Sequence, residues 1–349
     1  MITRSRLLAV ATIALAGVLT LLKVPLASSQ GITLFAAFVP GELPAAVPDS
    51  PVWQRTTAVE VPLSAQQVTV PRLTRGTIQS VRARVLHNGA QLALLVEWAD
   101  DSQDDEMVRI QDFRDSVAVQ FPLVEGQPFF CMGQAGGNVN IWQWKADWQA
   151  DIAARQDMDT VYPDMYVDLY PFTDPSLGAL AGPGDYTDPN YLPALASGNL
   201  LASITRTSPV EDLVAGGFGT LTSQPEDGQN VSGFGSWEDG RWQVIFVRDL
   251  SSQEENDAVF VSDQVYPIAF AVWDGSNGER DGQKSTSQWL SLQFEPAVAE
   301  RPAKAQPAPA AASKEPFIFV LAPMAATLVL LALAVGGVYV VGSLMARKR

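Results

Sequence analysis

The sequence predicts an all-β domain, an antiparallel β-sandwich with long loops, set between two hydrophobic ends. Three observations carry that reading. Short runs rich in β-branched and aromatic residues recur along the chain, divided by Gly and Asp clusters, which is the punctuation of a sandwich. One pair of runs, Ile78 to Leu86 and Gln91 to Trp98, is joined across His87-Asn88-Gly89, and Asn-Gly between β-prone runs is a strong hairpin signal. The stretch from about 150 to 235, typified by VYPDMYVDLYPF, has little sustained periodicity and is rich in Tyr, Pro, Gly and Asp. Aromatic content of that kind favours ordered loops that cover something.

At the start, Arg4 and Arg6 precede an apolar run from Leu7 to Leu22, and Ala27 and Ser29 stand at a spacing that a signal peptidase accepts. Residues 1–29 therefore read as a secretory signal peptide or a retained signal anchor. Residues 30–48 read as a linker and 49–295 as the folded domain. Inside the domain the hairpin is followed by DSVAVQFP (115–122), WQVIFVRDL (242–250), YPIAFAVW (266–273) and QWLSLQF (288–294), each strand-like. Residues 296–316 form a Pro/Ala-rich stalk, semi-rigid and poor at packing. Phe317 to Met345 is apolar and uncharged, longer than the ~20 residues a helix needs to cross hydrocarbon. The basic tail 346–349 belongs on the cytoplasmic side. A single C-terminal transmembrane helix at 317–345 is thus expected, with the main domain on the extracytoplasmic side of the cell membrane.

Composition removes several function classes. A net charge of −15 argues against nucleic acid, whose phosphates require a basic surface. One cysteine, Cys131, forbids an internal disulfide, and the absence of C-x-x-C-H forbids covalently attached haem. One histidine, His87, excludes histidine-rich zinc and copper sites and a Ser-His-Asp hydrolase. At a hairpin tip it reads as a solvated turn residue. The acidic runs 100–106 and 274–281 lack EF-hand spacing and read as solvated loops. The glycines at 133–137 lack the Lys-Ser/Thr of a phosphate-binding loop.

Chemistry concentrates in residues 128–149, PFFCMGQAGGNVNIWQWKADWQ. Between the ends and the stalk the chain has only two lysines, Lys145 and Lys284, and Lys145 stands among Trp142, Trp144 and Trp148. A thioether is a soft, neutral iron ligand known in electron-carrying haem sites. An amine binds iron only without its proton, and an apolar setting lowers the usual lysine pKa of ~10.4 by several units. Met132 and Lys145, joined by a segment that turns at GQAGGN, can therefore hold a haem iron from its two faces. With both axial positions filled by protein, no site remains for substrate, and the chemistry is electron transfer rather than catalysis by this chain. Lys284, Arg206 and Arg248 are candidates to reach a haem propionate, and Cys131 reads as a buried, inert thiol. The same residues admit a reading of a different class. Trp142 and Trp144 can stack on sugar rings, as in a membrane-anchored carbohydrate-binding β-sandwich.

The stretch resembles the haem b-binding gamma subunits of periplasmic molybdenum enzymes of the dimethyl sulfoxide reductase superfamily, those acting on ethylbenzene, dimethyl sulfide, selenate and chlorate. Met132 in PFFCMGQ and Lys145 in VNIWQWKADW stand at the matching positions. The likeness continues through RTSPVEDL (206–213), GFGTLT (217–222), SWEDGRWQVIFVRDL (236–250) and PIAFAVWDGSNGERDGQKSTSQWLSL (267–292). It implies a haem-binding β-sandwich and non-covalent haem b with Met/Lys axial ligation. It also implies an electron-relay role beside the catalytic and iron-sulfur subunits of a molybdenum oxidoreductase, or beside another periplasmic redox carrier. Gamma subunits of this kind are commonly soluble, and the C-terminal span is this chain's departure from them.

Overall fold

The computed structural model describes residues 31–124, 132–164, 194, 197–203, 205–261 and 264–296. Both hydrophobic ends, the stalk beyond residue 296, Cys131 and residues 165–193 of the Tyr/Pro-rich middle lie outside the described residues. Among the described residues, no helix is long and apolar enough to cross a membrane.

The strands are β1 (Thr33–Phe38), β2 (Val59–Pro62), β3 (Ser64–Ala65), β4 (Ser80–His87), β5 (Gln91–Ala99), β6 (Ser116–Pro122), β7 (Val139–Lys145), β8 (Val210–Ala215), β9 (Thr222–Ser223), β10 (Ser232–Glu238), β11 (Arg241–Asp249), β12 (Val265–Trp273), β13 (Ser285–Thr286) and β14 (Leu290–Phe294). They run in the order β10-β11-β5-β4-β1-β14-β12-β6-β7-β8-β9, with β13 and β3 added beside β12 and β2 beside β4. β12 divides this path into two layers. Its first half pairs with β14 through Val265–Ile268, and its second half pairs with β6 through Ala269–Trp273. Side chains from both layers, among them Leu94 and Val96 of β5, Val117 and Val119 of β6, and Val244 and Phe246 of β11, share one buried core. The expected sandwich and the hairpin at Asn88-Gly89 are both present, with Asn88 Oδ1 accepting from the Ala90 and Gln91 amides.

Three sequence expectations are corrected. The segment 30–48 is not merely a linker. β1 lies within it, in the middle of the first layer, and pairs in parallel with both β4 and β14, so the sheet is not wholly antiparallel. His87 is not a solvated turn residue. It is the last residue of β4, only 2% exposed, with Nε2 2.7 Å from the Glu295 carbonyl and edge-on ring contacts to Phe38 and Phe294. Burial lowers its pKa. The acidic runs are not simply solvated either. Asp100 and Asp274 are buried beside Asp115, with carboxylate oxygens of all three within 4.8 Å of one another. Indole and backbone N–H groups satisfy them: Trp242 Nε1 and the Gly275 amide donate to Asp115, each at 2.9 Å. Burial pushes Asp100 up to about 6 and Asp115 up to about 7.

β8 and β10 escape simple pattern reading, for local reasons. β8 carries adjacent acids, Glu211 and Asp212, and both are buried. That breaks the polar-out, apolar-in alternation of an ordinary strand. β10 contains two glycines, which usually weaken a strand. Here they leave room: a Cβ on Gly235 would stand 2.2 Å from the Trp144 ring, and one on Gly233 would stand 2.4 Å from Val210.

Candidate functional site

The period-2 geometry of β7 sorts the opening motif into two populations. Trp142 and Trp144 point between the layers. Both are 0% exposed, with Trp142 packed on Phe121 at 4.8 Å and Trp144 on Trp242 at 4.9 Å between ring centroids. The Trp142 indole N–H donates to Asn140 Oδ1 at 3.0 Å. Rings enclosed in this way cannot stack on a sugar, so the carbohydrate platform expected from these two residues is not formed. Val139 and Ile141 point to the opposite face. There they join Ala118, Leu213, Ala215 and Trp273 in a separate apolar cluster, against which Met132, Ala271 and Trp289 pack.

Met132 is brought onto this outer face by a tight turn. The Gly217 amide donates to the Met132 carbonyl at 2.9 Å, and Gln134 and Gly137 exchange backbone hydrogen bonds at 3.0 and 2.8 Å. Gly133 makes the turn possible. Its φ is +74°, and a Cβ there would meet the Ala215 and Gly137 carbonyl oxygens at 2.7 and 2.8 Å, so only glycine fits.

The lysine at Met132 is Lys284. Its Nζ lies 3.4 Å from Met132 Sδ and 4.8 Å from the centre of the Trp273 ring. Trp273 is itself fixed, since its indole N–H donates to the Asp281 carbonyl at 3.1 Å. A soft neutral sulfur and an amine thus face each other above an apolar wall, 152 residues apart in the chain. Lys284, a candidate to reach a haem propionate, lies in the structure against the sulfur.

Met132 and Lys145 are the pair expected to hold a haem iron from its two faces, and in the structure Lys145 is engaged by a carboxylate. Lys145, at the end of β7, is buried with only 3% exposure, and its Nζ forms an ion pair with the Glu211 carboxylate of β8. The Ser223 hydroxyl donates to the other Glu211 oxygen. The Lys145 Nζ also lies 4.1 Å from the Trp148 ring centre, in the helix α1 (Ala146–Ala153) that follows β7 directly. Burial draws the Lys145 amine down to about 8, and Glu211 opposes that shift. The lowered pKa expected of a lysine among tryptophans is therefore present, but its partner is a carboxylate. Glu211 is the residue the sequence reading missed, and nothing in its local pattern marks it.

The two candidate arginines are committed elsewhere. Arg206 stacks on Trp148 at 3.8 Å and pairs with Asp151 at 3.4 Å, alongside the Lys145 pair. Arg248 lies between the layers, 3.7 Å from Asp257 and 4.9 Å from the Trp142 ring, on the far side of β7 from Met132. Near it Asp212 accepts from Gln224 at 2.8 Å, and burial pushes its carboxyl up to about 7.

A family model described as ethylbenzene dehydrogenase matches residues 50–285. The chain is 26% identical over 250 residues to a protein of Haloferax mediterranei named for the heme subunit of a respiratory nitrate reductase, covering 71% of this chain and 68% of that one. It is 26% identical over 255 residues to the chlorate reductase subunit gamma of Ideonella dechloratans, covering 72% of this chain and 80% of the relative. The dimethylsulfide dehydrogenase subunit gamma of Rhodovulum sulfidophilum is 25% identical over 232 residues, 64% of each chain. Among solved structures, a family 9 carbohydrate binding module from Caldicellulosiruptor kristjanssonii in complex with glucose aligns over 79% of this chain and all of that one, with a TM-score of 0.39 and 8% identity. A likeness at that level decides nothing about a ligand. The family match spans the strands that build the Met132 face and reaches the segment that delivers Lys284: the chain belongs to the ethylbenzene dehydrogenase family, beside heme and gamma subunits of nitrate, chlorate and dimethylsulfide enzymes.

Proposed function

We propose that this chain is an exported, membrane-anchored b-type cytochrome domain that relays electrons to or from a partner oxidoreductase, with the haem iron held by Met132 and Lys284. The observation that carries this reading is the apposition of Met132 Sδ and Lys284 Nζ at 3.4 Å over an apolar face. The donor set fits the group. Thioether and amine are both neutral when bound, and neither supplies a proton or a nucleophile to a substrate. When present, haem supplies a one-electron couple, and a methionine ligand raises its potential.

The remaining work falls to the chain's own side chains. Ala118, Ile141, Leu213 and Ala215 offer an apolar wall without charge, which would keep water from a bound metal and suits a porphyrin face. Trp273 places its ring centre 4.8 Å from the lysine Nζ, limiting the positions that nitrogen can sample. Gly133 lets the Met132 backbone approach β8 closely enough for the sulfur to lie over the wall. An amine must lose its proton to bind metal, so loading is favoured as pH rises. Lys145 has the lowered proton affinity of a ligand lysine, but its carboxylate partner supports a structural role.

The names of the relatives, a heme subunit and gamma subunits of reductases and a dehydrogenase, support a partnership with the other subunits of such an enzyme, and the resemblance to gamma subunits favours a molybdenum enzyme. The apolar, uncharged run Phe317 to Met345 and its basic tail support attachment to the membrane with this domain outside.

The decisive experiment compares two lysine variants of the haem-loaded full chain. Lys284→Ala should convert a low-spin, six-coordinate visible spectrum to a high-spin one or lose haem altogether, whereas Lys145→Ala should retain the low-spin bands in whatever fraction folds. The opposite result would transfer the ligand role to Lys145. Absence of any Soret band in the parent protein, expressed with ample haem, would end the reading.

A further inference from the structure

Lys284 is delivered by a short segment with little regular structure of its own, so something must hold it in register. β13 begins at the next residue and pairs with β3, Ser285 opposite Ala65. Gln66 follows β3 directly and extends this ladder by one step, its backbone N–H donating to the Lys284 carbonyl at 2.9 Å. The Gln66 side chain then reaches two residues back, where Nε2 donates to the Gly282 carbonyl at 2.7 Å. On its other side Oε1 accepts from the Thr69 amide at 2.8 Å and from the Val68 amide, and Nε2 also meets Thr69 Oγ1. Gln66 is buried, and every polar atom of its amide is used. Gly282 is small where this knot closes. A Cβ there would stand 2.7 Å from Thr69 Oγ1 and 3.4 Å from Gln66 Nε2.

We infer that Gln66 is the positioning residue of the metal-binding lysine: it clamps the 282–284 segment from both ends and so aims Lys284 Nζ at the Met132 sulfur. The inference rests on the reading of Lys284 as an iron ligand. Gln66 touches neither the sulfur nor the amine. It acts only through the backbone that carries the lysine. A main-chain carbonyl fixed on each side of a residue removes most of its freedom, which is how a ligand on a loop is held to the tolerance a metal demands.

Gln66→Glu isolates this function, because it keeps the acceptor for the Val68 and Thr69 amides and removes the donor to Gly282. Gly282→Ala strains the same contact from the other side. Each variant of the full chain is loaded with haem, and its visible spectrum is followed as imidazole is added to displace the lysine. Both should fold, by circular dichroism, and both should show a high-spin fraction absent from the parent. The imidazole concentration at half-displacement should fall about tenfold, the size expected for leaving one buried carbonyl unpaired. Folded variants that keep the parent's low-spin spectrum and its half-displacement point within about twofold would overturn the inference. A measurement on the unaltered protein guards against variants that do not fold: haem loading should slow hydrogen exchange at the Gln66 amide, and an unchanged rate would count equally against it. If Lys284→Ala leaves the low-spin spectrum intact, the ligand assignment itself is wrong. If that variant loses it while Gln66→Glu does not, only the positioning role is wrong.

Discussion

Two lysines meet the second layer of this sandwich in different company. Lys145 ends β7 and is enclosed by a carboxylate, an indole and the start of a helix. Lys284 sits at the mouth of β13 and faces a sulfur across an apolar wall. Both are buried. Burial alone therefore does not identify a metal ligand. A buried amine with a carboxylate partner stays charged over more of the pH range and serves packing. A buried amine set against a thioether sulfur stands beside a second donor that can share a metal with it, once the amine has given up its proton.

The comparison can be broken most sharply at Lys145. Glu211→Leu leaves its charge buried and unpaired, which should destabilise the domain by about 3–5 kcal/mol and lower the Lys145 pKa further. Joining it with Lys145→Met should recover most of that loss, since a well-packed apolar pair often matches a buried ion pair. Chemical denaturation of the two variants and the parent measures the difference. A single variant as stable as the parent would show that Lys145 is not held by Glu211.

A smaller effect is expected between the layers. Gly235→Ala places a methyl group 2.2 Å from the Trp144 ring and should cost about 1–3 kcal/mol by overpacking. The haem spectrum should be unchanged, because Trp144 faces away from Met132. A spectral shift would mean that the two faces of β7 are coupled, contrary to their separation here.

The mildest test is pH. The folded-state pKa of Lys145 is about 8, below the unfolded value of ~10.4. The unfolded chain thus binds more protons in that window, and the Lys145 contribution to stability should improve as pH rises from about 8 toward ~10.4. The aspartates Asp100 and Asp115 have the opposite sign. Their folded values of about 6 and about 7 exceed the unfolded ~3.9. The folded state binds more protons there, so stability should fall as pH climbs from about 4 through 7. Asp100→Asn should flatten that descent in a series of thermal melts, and an unaltered slope would remove Asp100 from the account.

Much of the fold was legible residue by residue. Asn88-Gly89 marks its hairpin because the turn chemistry is local, and β6, β11, β12 and β14 lie within a residue or two of the apolar runs that announce them. β1 was not legible, since a short strand between two parallel neighbours looks like any apolar linker until the neighbours are known. The site was half legible. Met132 and a lysine among aromatic rings stood out by composition, yet the lysine that reaches the sulfur lies 152 residues away. Spacing along the chain favours Lys145, whereas register across the sheet brings in Lys284.

The amino-acid sequence by itself determined the β-rich class, the charge that excludes nucleic acid, the lack of histidine-rich metal chemistry and the candidate donors, because each depends on residue type or on neighbours a few positions apart. Only the tertiary structure decided which lysine meets Met132, that Trp142 and Trp144 are enclosed rather than presented, and that the acidic loops converge on one another. Those outcomes depend on which strands lie side by side and which face each turns outward. Such pairings are set by the sum of many weak contacts across the core, and no short stretch of sequence contains them.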